Sequence, residues 1–290
     1  MYSAKVLADS VSEPGNVRLT TLEVTFPRMV LSEFNTHRVF SRNSASSRAI
    51  PIEKQIKKVL SNPFIPAAFG KNQKGMQSGD ALNDEQQQSA RDAWILGMHR
   101  AVDTAEMLSD SEVHKQWANR VLEPYMWHTA IVTSTYWDNF FKLRISYEAQ
   151  PEIRTIAKMM QRAMHNSRPK QVKYGEWHLP LFSSRDMDEI KDKIDDYDLG
   201  HQRDLNHVAR LVSAGRCARV SYLTHDGKRD LSQDIVLAQR LVKNGHMSPF
   251  EHVATPAYYP NENTDCNFKG WRQFRNHFER GDHVIPGLDQ

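Results

Sequence analysis

The sequence predicts a helix-rich α+β fold around one central sheet. An alternating apolar strand at 17–26, several later stripes of helical period, and the lack of any repeat of about 20 to 50 residues together point there. A chain of 290 residues, 39% of them hydrophobic, can bury a sizeable core, which excludes a disordered tail protein. We expect one domain over 1–290, with a polar excursion near 69–90 and a charged connection near 184–206.

Val17, Leu19, Leu22, Val24 and Phe26 alternate imperfectly with polar neighbours, predicting a half-buried strand that ends at Pro27. Met29, Val30, Leu31 and Phe34 predict a short helix from Arg28 to about Arg38; the Ser/Arg/Asn-rich run 41–51 cannot continue that stripe and reads as a loop. Residues 69–90, rich in Gly, Gln and Asn, read as a mobile surface excursion. Trp94, Ile95, Met98, Val102, Ala105 and Met107 predict a helix over 91–108, with a second from Ser111 to Leu122 before Pro124. Another long helical stretch is predicted over 136–165. Within it Pro151 and Glu152 suit a helix start, and Ile153, Ile156, Met159, Met160 and Met164 form a stripe whose flexible methionines read as core filler.

Residues 184–206 carry dense charge of both signs and read as a solvated connection or exposed helix. Leu205, Val208, Leu211 and Val212 predict a helix stopping near Ala214 and Gly215, followed by a short strand at RVSYL. Ser232 is the expected cap of the next helix, Ile235, Leu237, Ala238, Leu241 and Val242 its stripe, and Gly245 its left-handed terminator. HMSPFEHVATP then enters a further extended segment.

Composition narrows the function classes. With 38 Lys+Arg against 35 Asp+Glu, the formal charge of +3 does not demand nucleic acid as partner; it suits equally an enzyme with a few arginines at an anion site. Cys217 and Cys266 are too few for a disulfide framework, and MYSAKVLADS is no basic-then-apolar leader, so a cytoplasmic protein is expected. No apolar run approaches the roughly 20 residues of a membrane-spanning helix. The histidines form no His-Glu-x-x-His or closely spaced pair, Cys-x-x-Cys is missing, and there is no glycine-rich phosphate loop; no metal site is expected.

Residues 36–48, THRVFSRNSASSR, crowd a histidine, three arginines and four serines behind the first predicted helix. Arg38 and Arg48 can fork hydrogen bonds to phosphate, while Ser41, Asn43, Ser44, Ser46 and Ser47 add neutral donors and let backbone amides approach. Taken alone, the same composition describes a solvated loop.

The segment resembles the signature of the flavin-dependent thymidylate synthases, an Arg-His-Arg triplet with a Ser and an Arg further on. His37, Arg38, Ser41, Asn43, Ser46 and Arg48 fall on family positions. RVLEP and NFFKLRISYEAQPEIR are similar to the family's Arg-x-x-x-Pro and Asn-x-x-x-x-Arg elements and contribute Arg120, Asn139, Arg144, Gln150 and Glu152. GRCARVSY and KNGHMSPFEHVATP resemble its Ala-Arg-Val-Ser strand and Gly-His-x-x-Pro-Phe-Glu-His element. In the family those last two come first, so the order here looks like a circular permutation, which a fold tolerates when its termini lie close at the surface. Residues 53–110 and 166–209 have no counterpart. Thr36 replaces the first Arg of the triplet, Ser44 an acidic residue, and Glu33 a Gln. In the C-terminal run FKGWRQFRNHFERG, Arg272, Arg275 and Arg280 alternate with Trp271, Phe274 and Phe278. That run either restores cationic charge and stacks on a ring, or packs its aromatics on the core as a surface helix.

The resemblance implies a mainly antiparallel sheet, FAD as cofactor, and NADPH and methylenetetrahydrofolate as co-substrates. It implies transfer of a one-carbon unit to C5 of deoxyuridine monophosphate, giving thymidylate, by a homo-oligomer with a tetramer favoured. Carried over by motif, Arg144 is the catalytic cation; Glu33, Ser44, Ser46, Ser47, Arg48 and Arg120 bind the nucleotide; His37, Arg38, Asn43, Asn139, Ser221 and His252 line the flavin. Outside its motif, His252 would read as a structural histidine. No thiol nucleophile is implied, and Cys217, placed in the strand GRCARVSY, reads as a small buried residue. Two alternatives stay open. Thr36 and Ser44 motivate hydroxymethylation, or methylation of another pyrimidine deoxynucleotide, with flavin and folate; the Arg/Ser loop and basic-aromatic C-terminus motivate a nucleic-acid-binding module.

Overall fold

A hairpin opens the chain, β1 (Ser3–Ser12) turning into β2 (Arg18–Pro27). Asn16 makes the turn at φ 50°, a conformation asparagine tolerates better than most residues, and its N–H donates to Ser12 O at 2.8 Å. The computed structural model describes residues 1–46, 50–197, 204–219, 229–258 and 267–279. A 3-10 turn at Arg28–Val30 and helix α1 (Leu31–Asn35) lead to β3 (Ser41–Ser44). Strand β4 (Trp127–Ser134) pairs antiparallel with both β2 and β3, and β5 (Lys170–Val172) pairs parallel with β1, giving the order β3-β4-β2-β1-β5. The protein is thus α+β with a mainly antiparallel sheet, as expected.

The two faces of this sheet differ in chemistry. On one, Leu22, Val24, Phe26, Ala130 and Val132 meet Val30, Phe34 and Phe40, with Trp137 and Phe140 at helix α5 (Asp138–Arg144) and Ile153, Ile156, Ala157 and Met160 of α6 (Pro151–His165). Each such apolar side chain contributes about 1.5–3 kcal/mol through burial. The opposite face presents Thr21, Thr25, Thr129 and Thr133, with hydroxyls meeting across β2 and β4 at 2.7 Å for Thr21–Thr133 and 2.8 Å for Thr25–Thr129. Alternation along one strand turns successive residues to opposite faces, so both chemistries come from the same ten residues.

Helices α2 (Ile52–Ser61) and α3 (Asp84–Asp110), the short α4 (Lys115–Ala118) and the 3-10 turn at Asn119–Tyr125 share a second core through Ile56, Val59, Met98, Val102, Ala118 and Leu122. A reciprocal Asn83–Gln86 capping box starts α3. Beyond the sheet, α7 (Ser184–Lys193), α8 (Leu205–Ala218) and α9 (Leu231–Lys243) form a third, with the small strands β6 (Ala254–Pro256) and β7 (Trp271–Gln273) and helix α10 (Arg275–Glu279) alongside. Arg216, buried in α8, donates to Asp234 and Asp186 at 2.8 Å each, pinning α9 and α7 to α8. Burial alone would raise the Asp186 carboxyl; Arg216 and Ser183 donate to it and bring it to about 2.

Several local expectations need correction. Strands β1 and β4 carry no clean alternation and were not anticipated; β4 is buried on both faces along most of its length and needs none, whereas β1 is largely half-exposed. Residues Ser41–Ser44 form an edge strand, because the ladder with β4 satisfies their backbone. Residues 84–90 of the expected excursion belong to α3, and 111–122 is a short helix running into a 3-10 turn. The stretch 136–165 is two helices with a break at Ile145–Gln150. In region 184–206 the helix alternative holds: α7 is largely exposed but buries Ile190, while 198–203 lie outside the described residues. Helix α8 does not stop at Gly215: a Cβ there would lie 2.3 Å from Asp234 O, so glycine serves the close approach of α9. Cys217 is buried as expected but sits on that helix, not a strand; RVSYL lies, apart from Arg219, outside the described residues. Asp230, not Ser232, caps α9, while Gly245 at φ 70° does end it. In the C-terminal run Trp271 and Phe274 are core, and Arg275 pairs with Glu251 and Glu279; Arg280 lies outside the described residues.

Candidate functional site

Arg144, the last residue of α5, reaches the C-terminal end of α1. Its Nε donates to His37 Nε2 at 2.9 Å, and its Nη2 donates to Glu33 O at 3.2 Å and Thr36 Oγ1 at 2.9 Å. A guanidinium only donates, so His37 Nε2 accepts and the ring is neutral with its proton on Nδ1. Burial, then the charges of Arg144 and Arg42, push the His37 pKa down to about 4. The imidazole lies against Phe40 and edge-on to Phe140, which fixes its plane. Nη1 of Arg144 has no partner among the described residues. The structure also accounts for Thr36: its hydroxyl accepts from Arg144, where a second guanidinium would press like charge on it. Arg38 and Asn139 stand exposed on the same end of the sheet, and Glu33 is half-buried.

The other end of the sheet holds a second cationic group. Glu123 Oε1 accepts from Arg28 at 2.8 Å and from Arg120 at 3.0 Å, and Arg28 Nη1 is 3.1 Å from His128 Nδ1. Arg28 Nε and His128 Nε2 are enclosed without a hydrogen-bond partner. Burial, then Arg28, lowers the His128 pKa to about 4, so this imidazole is neutral at pH 7. Arg28, Ser44, Ser46, Trp117, Arg120 and His128 line a cleft of about 470 Å³. Two guanidiniums sharing one carboxylate leave a net positive charge there, and the serines add hydroxyl donors, a set suited to a phosphate monoester.

Between these ends the C-terminal elements dock on β3. Asn43 Nδ2 donates to Cys217 O at 3.3 Å, and Ser248 Oγ lies 2.7 Å from Asn43 Oδ1. Gln273 Nε2 donates to Ser41 Oγ at 2.9 Å and to Glu251 O at 3.1 Å. His252 is wholly enclosed behind this strand, with Nδ1 2.8 Å from Thr133 Oγ1. Arg42, on β3, has an enclosed Nη1 without a partner.

The three motif-bearing stretches therefore meet around β3. One chain gathers Glu33, Thr36, His37 and Arg144 in one cluster, and Ser44, Ser46 and Arg120 in another. Helix α1 links the two groups: Leu31 lines the Arg120 cleft, and Glu33 and Thr36, within two turns of it, contact Arg144. Ser47, Arg48 and Ser221 lie outside the described residues. Sequence reasoning missed Arg28, Glu123 and His128. No local pattern marks them; they become neighbours only because Phe26 pairs with His128 and Pro27 with Trp127. Among the described residues no group of His, Cys, Asp and Glu is set to hold a metal ion, and no helix is long and apolar enough to cross a membrane.

The family model described as thymidylate synthase complementing protein matches residues 3–170. No curated protein matches the chain. Among solved structures, the UMP/dUMP methylase PolB from Streptomyces cacaoi bound with 5-Br UMP is similar at 19% identity and a TM-score of 0.46, over 57% of this chain and 88% of that one. Its form bound with 5-Br dUMP is similar at 16% identity and 0.45, over 57% and 90%.

Proposed function

The chain belongs to the thymidylate synthase complementing protein family, the flavin-dependent thymidylate synthases, and from that membership we propose that it converts deoxyuridine monophosphate to thymidylate with FAD, NADPH and methylenetetrahydrofolate. The observation that carries this reading is the cleft in which Ser44, Ser46 and Arg120 converge with Arg28, a donor set for the dianionic phosphate. Arg48 and Ser47 complete that set by motif. At the other end Arg144 is held by His37, Thr36 and the Glu33 carbonyl, leaving Nη1 to meet a pyrimidine carbonyl. A cation placed there favours the enolate-like form of the ring and raises electron density at C5. His37 keeps Arg144 in one orientation, because its neutral Nε2 can only accept.

FAD suits the residues present: Arg42 offers an enclosed, unpartnered Nη1 on the strand that carries Asn43, and Arg38 and Asn139 offer exposed donors. When bound, it supplies the hydride that reduces the transferred carbon to methyl. Ser221 and His252 join this set by motif. The active unit is a homo-oligomer, a tetramer in our reading. In our reading each site takes residues from more than one protomer, as family membership implies. Exposed Tyr136, Leu143 and Tyr147 around α5 supply apolar surface for that contact. The cytoplasm is its compartment.

The test is to incubate the purified protein with the four small molecules and weigh the nucleotide product. A gain of one CH₂ over the substrate is expected. An additional oxygen establishes hydroxymethylation instead, and a colourless protein that neither takes up FAD nor turns over sinks both. Arg120→Ala and Arg144→Ala are each expected to lose at least about 100-fold in kcat/KM, and a mixture refolded together to recover part of the activity. No recovery would show that each site lies within one chain.

A further inference from the structure

A second cleft, of about 300 Å³, adjoins the one lined by Ser44, Ser46 and Arg120, and the two share Arg28, Ala45 and His128 in their walls. One wall comes from α2, where Gln55 and Lys58 stand three residues apart and so share a helix face. The facing wall is the start of β4, where Trp127 pairs with Pro27 and His128 with Phe26, which sets Arg28 beside both.

The polar groups of these walls are short of acceptors. Arg28 Nη1 donates to His128 Nδ1, and a neutral imidazole that accepts at Nδ1 carries its proton on Nε2. His128 Nε2, Arg28 Nε and Trp127 Nε1 are then three N–H donors, each enclosed without an acceptor. The side-chain amide of Gln55, a residue only 4% exposed, has no hydrogen-bond partner among the described residues either. Among the described residues Arg28 and Lys58 line the cleft and no Asp or Glu does; Glu123, which pairs with Arg28, lines neither cleft. Burial, then the charge of Lys54, lowers the Lys58 pKa, so no neighbouring carboxylate offsets the cost of enclosing that ammonium. Buried donors without acceptors are costly, and unpaired N–H dipoles beside two cations leave the cleft positive. The group that satisfies such walls accepts without donating and carries negative charge.

We infer that this cleft is a second phosphoryl subsite, contiguous with the nucleotide-phosphate cleft, in which Lys58 and the Gln55 amide meet the phosphoryl oxygens across from Arg28 and His128. A phosphoryl group fits because its oxygens accept in several directions at once, as walls on α2 and β4 require. The placement of a nucleotide phosphate in the first cleft rests on the reading above; the anion subsite does not. Joined to that first phosphate through a bridging oxygen, the group is the second phosphate of a nucleoside diphosphate. Unjoined, it is a free phosphate ion bound beside the monophosphate. Either source uses the same donors.

The experiment is isothermal titration calorimetry of the full chain with deoxyuridine monophosphate, deoxyuridine diphosphate and inorganic phosphate, in wild type, Gln55→Met and Lys58→Met. A diphosphate held at both clefts is expected to bind wild type at least about tenfold more tightly than the monophosphate. Both variants should lose that advantage while binding the monophosphate as wild type does. If the diphosphate has no advantage, inorganic phosphate added to protein saturated with the monophosphate identifies a free ion, which should bind wild type and bind both variants at least about tenfold more weakly. Protein that binds no monophosphate rejects the reading of the first cleft alone. Inorganic phosphate is then titrated into the nucleotide-free chain, where the second subsite predicts loss in Lys58→Met and retention in Arg120→Ala. A diphosphate advantage or a phosphate affinity that both variants keep, or phosphate that binds in none of these titrations, overturns the inference and leaves the cleft to water. Should Lys58→Met fail to fold, Gln55→Met, which removes an unpartnered amide at nearly constant volume, decides alone.

Discussion

The two faces of the sheet hold the fold by different physics. The face toward α5 and α6 is closed by Phe26, Phe34, Phe40, Phe140 and Ile153, whose contribution is additive, non-directional and indifferent to pH. The face toward α8 and the 248–252 turn is closed by threonine hydroxyls, two neutral histidines and Gln273, whose contribution depends on every donor finding its acceptor. The lesson is one of tolerance. The apolar face can lose a methyl group in proportion to its size, whereas each hydroxyl or imidazole removed from the polar face leaves a buried partner unpaired.

The largest expected effect falls on the apolar face: Phe34→Ala, which empties a wholly buried position between Phe26 and Phe140, should cost about 3–5 kcal/mol. Urea denaturation checks this, and a loss below about 1 kcal/mol would show that the face is not closely packed. Next comes acid, which should act through the buried neutral histidines: His178 and His252 on the polar face, with His37 and His128, held at about 4, adding to the same trend. Because His178 and His252 stay neutral down to about pH 3 when folded but take up protons near 6.5 when unfolded, their stabilisation is complete above pH 6.5 and is lost as the pH falls. Each contributes up to about 1.4 kcal/mol per pH unit in that window. Stability measured at pH 7, 6 and 5 tests the sign; a flat profile contradicts neutral burial of the pair.

A smaller effect is expected where α8 meets α9. Gly215→Ala should destabilise by about 1–3 kcal/mol, because its methyl would meet the backbone of Asp234 and not a movable side chain. An unchanged thermal midpoint would mean that the two helices separate freely. The smallest concerns the partly buried Thr25–Thr129 pair: replacing both by valine removes donor and acceptor together and should change stability by less than about 1 kcal/mol. A larger loss would show that these hydroxyls do more than satisfy each other.

The elements legible in advance were those whose burial repeats at a fixed period. The alternation of Leu22, Val24 and Phe26 marked β2, and Ile153, Ile156 and Met160 marked α6, because one covered face imposes the period of the backbone on the sequence. Strand β4, covered on both sides, and the short edge strand β3 left no such trace. Among candidate site residues, Arg120, Arg144, His37 and Asn43 stood out through motif spacing. His178, Arg28 and His128 did not, since nothing near them in the chain reports a partner supplied by another strand.

By itself the sequence determined the composition of the core, the helix-rich α+β class, the family to which the chain belongs and the cationic character of the 36–48 segment. Tertiary structure alone decided that Arg28, Glu123 and His128 gather beside Arg120, that Thr36 serves Arg144, and that two histidines more than seventy residues apart lie on one hydrogen-bond line. The reason is physical: periodic burial is written into neighbouring residues, whereas a hydrogen bond is satisfied by whichever distant atom the fold delivers to it.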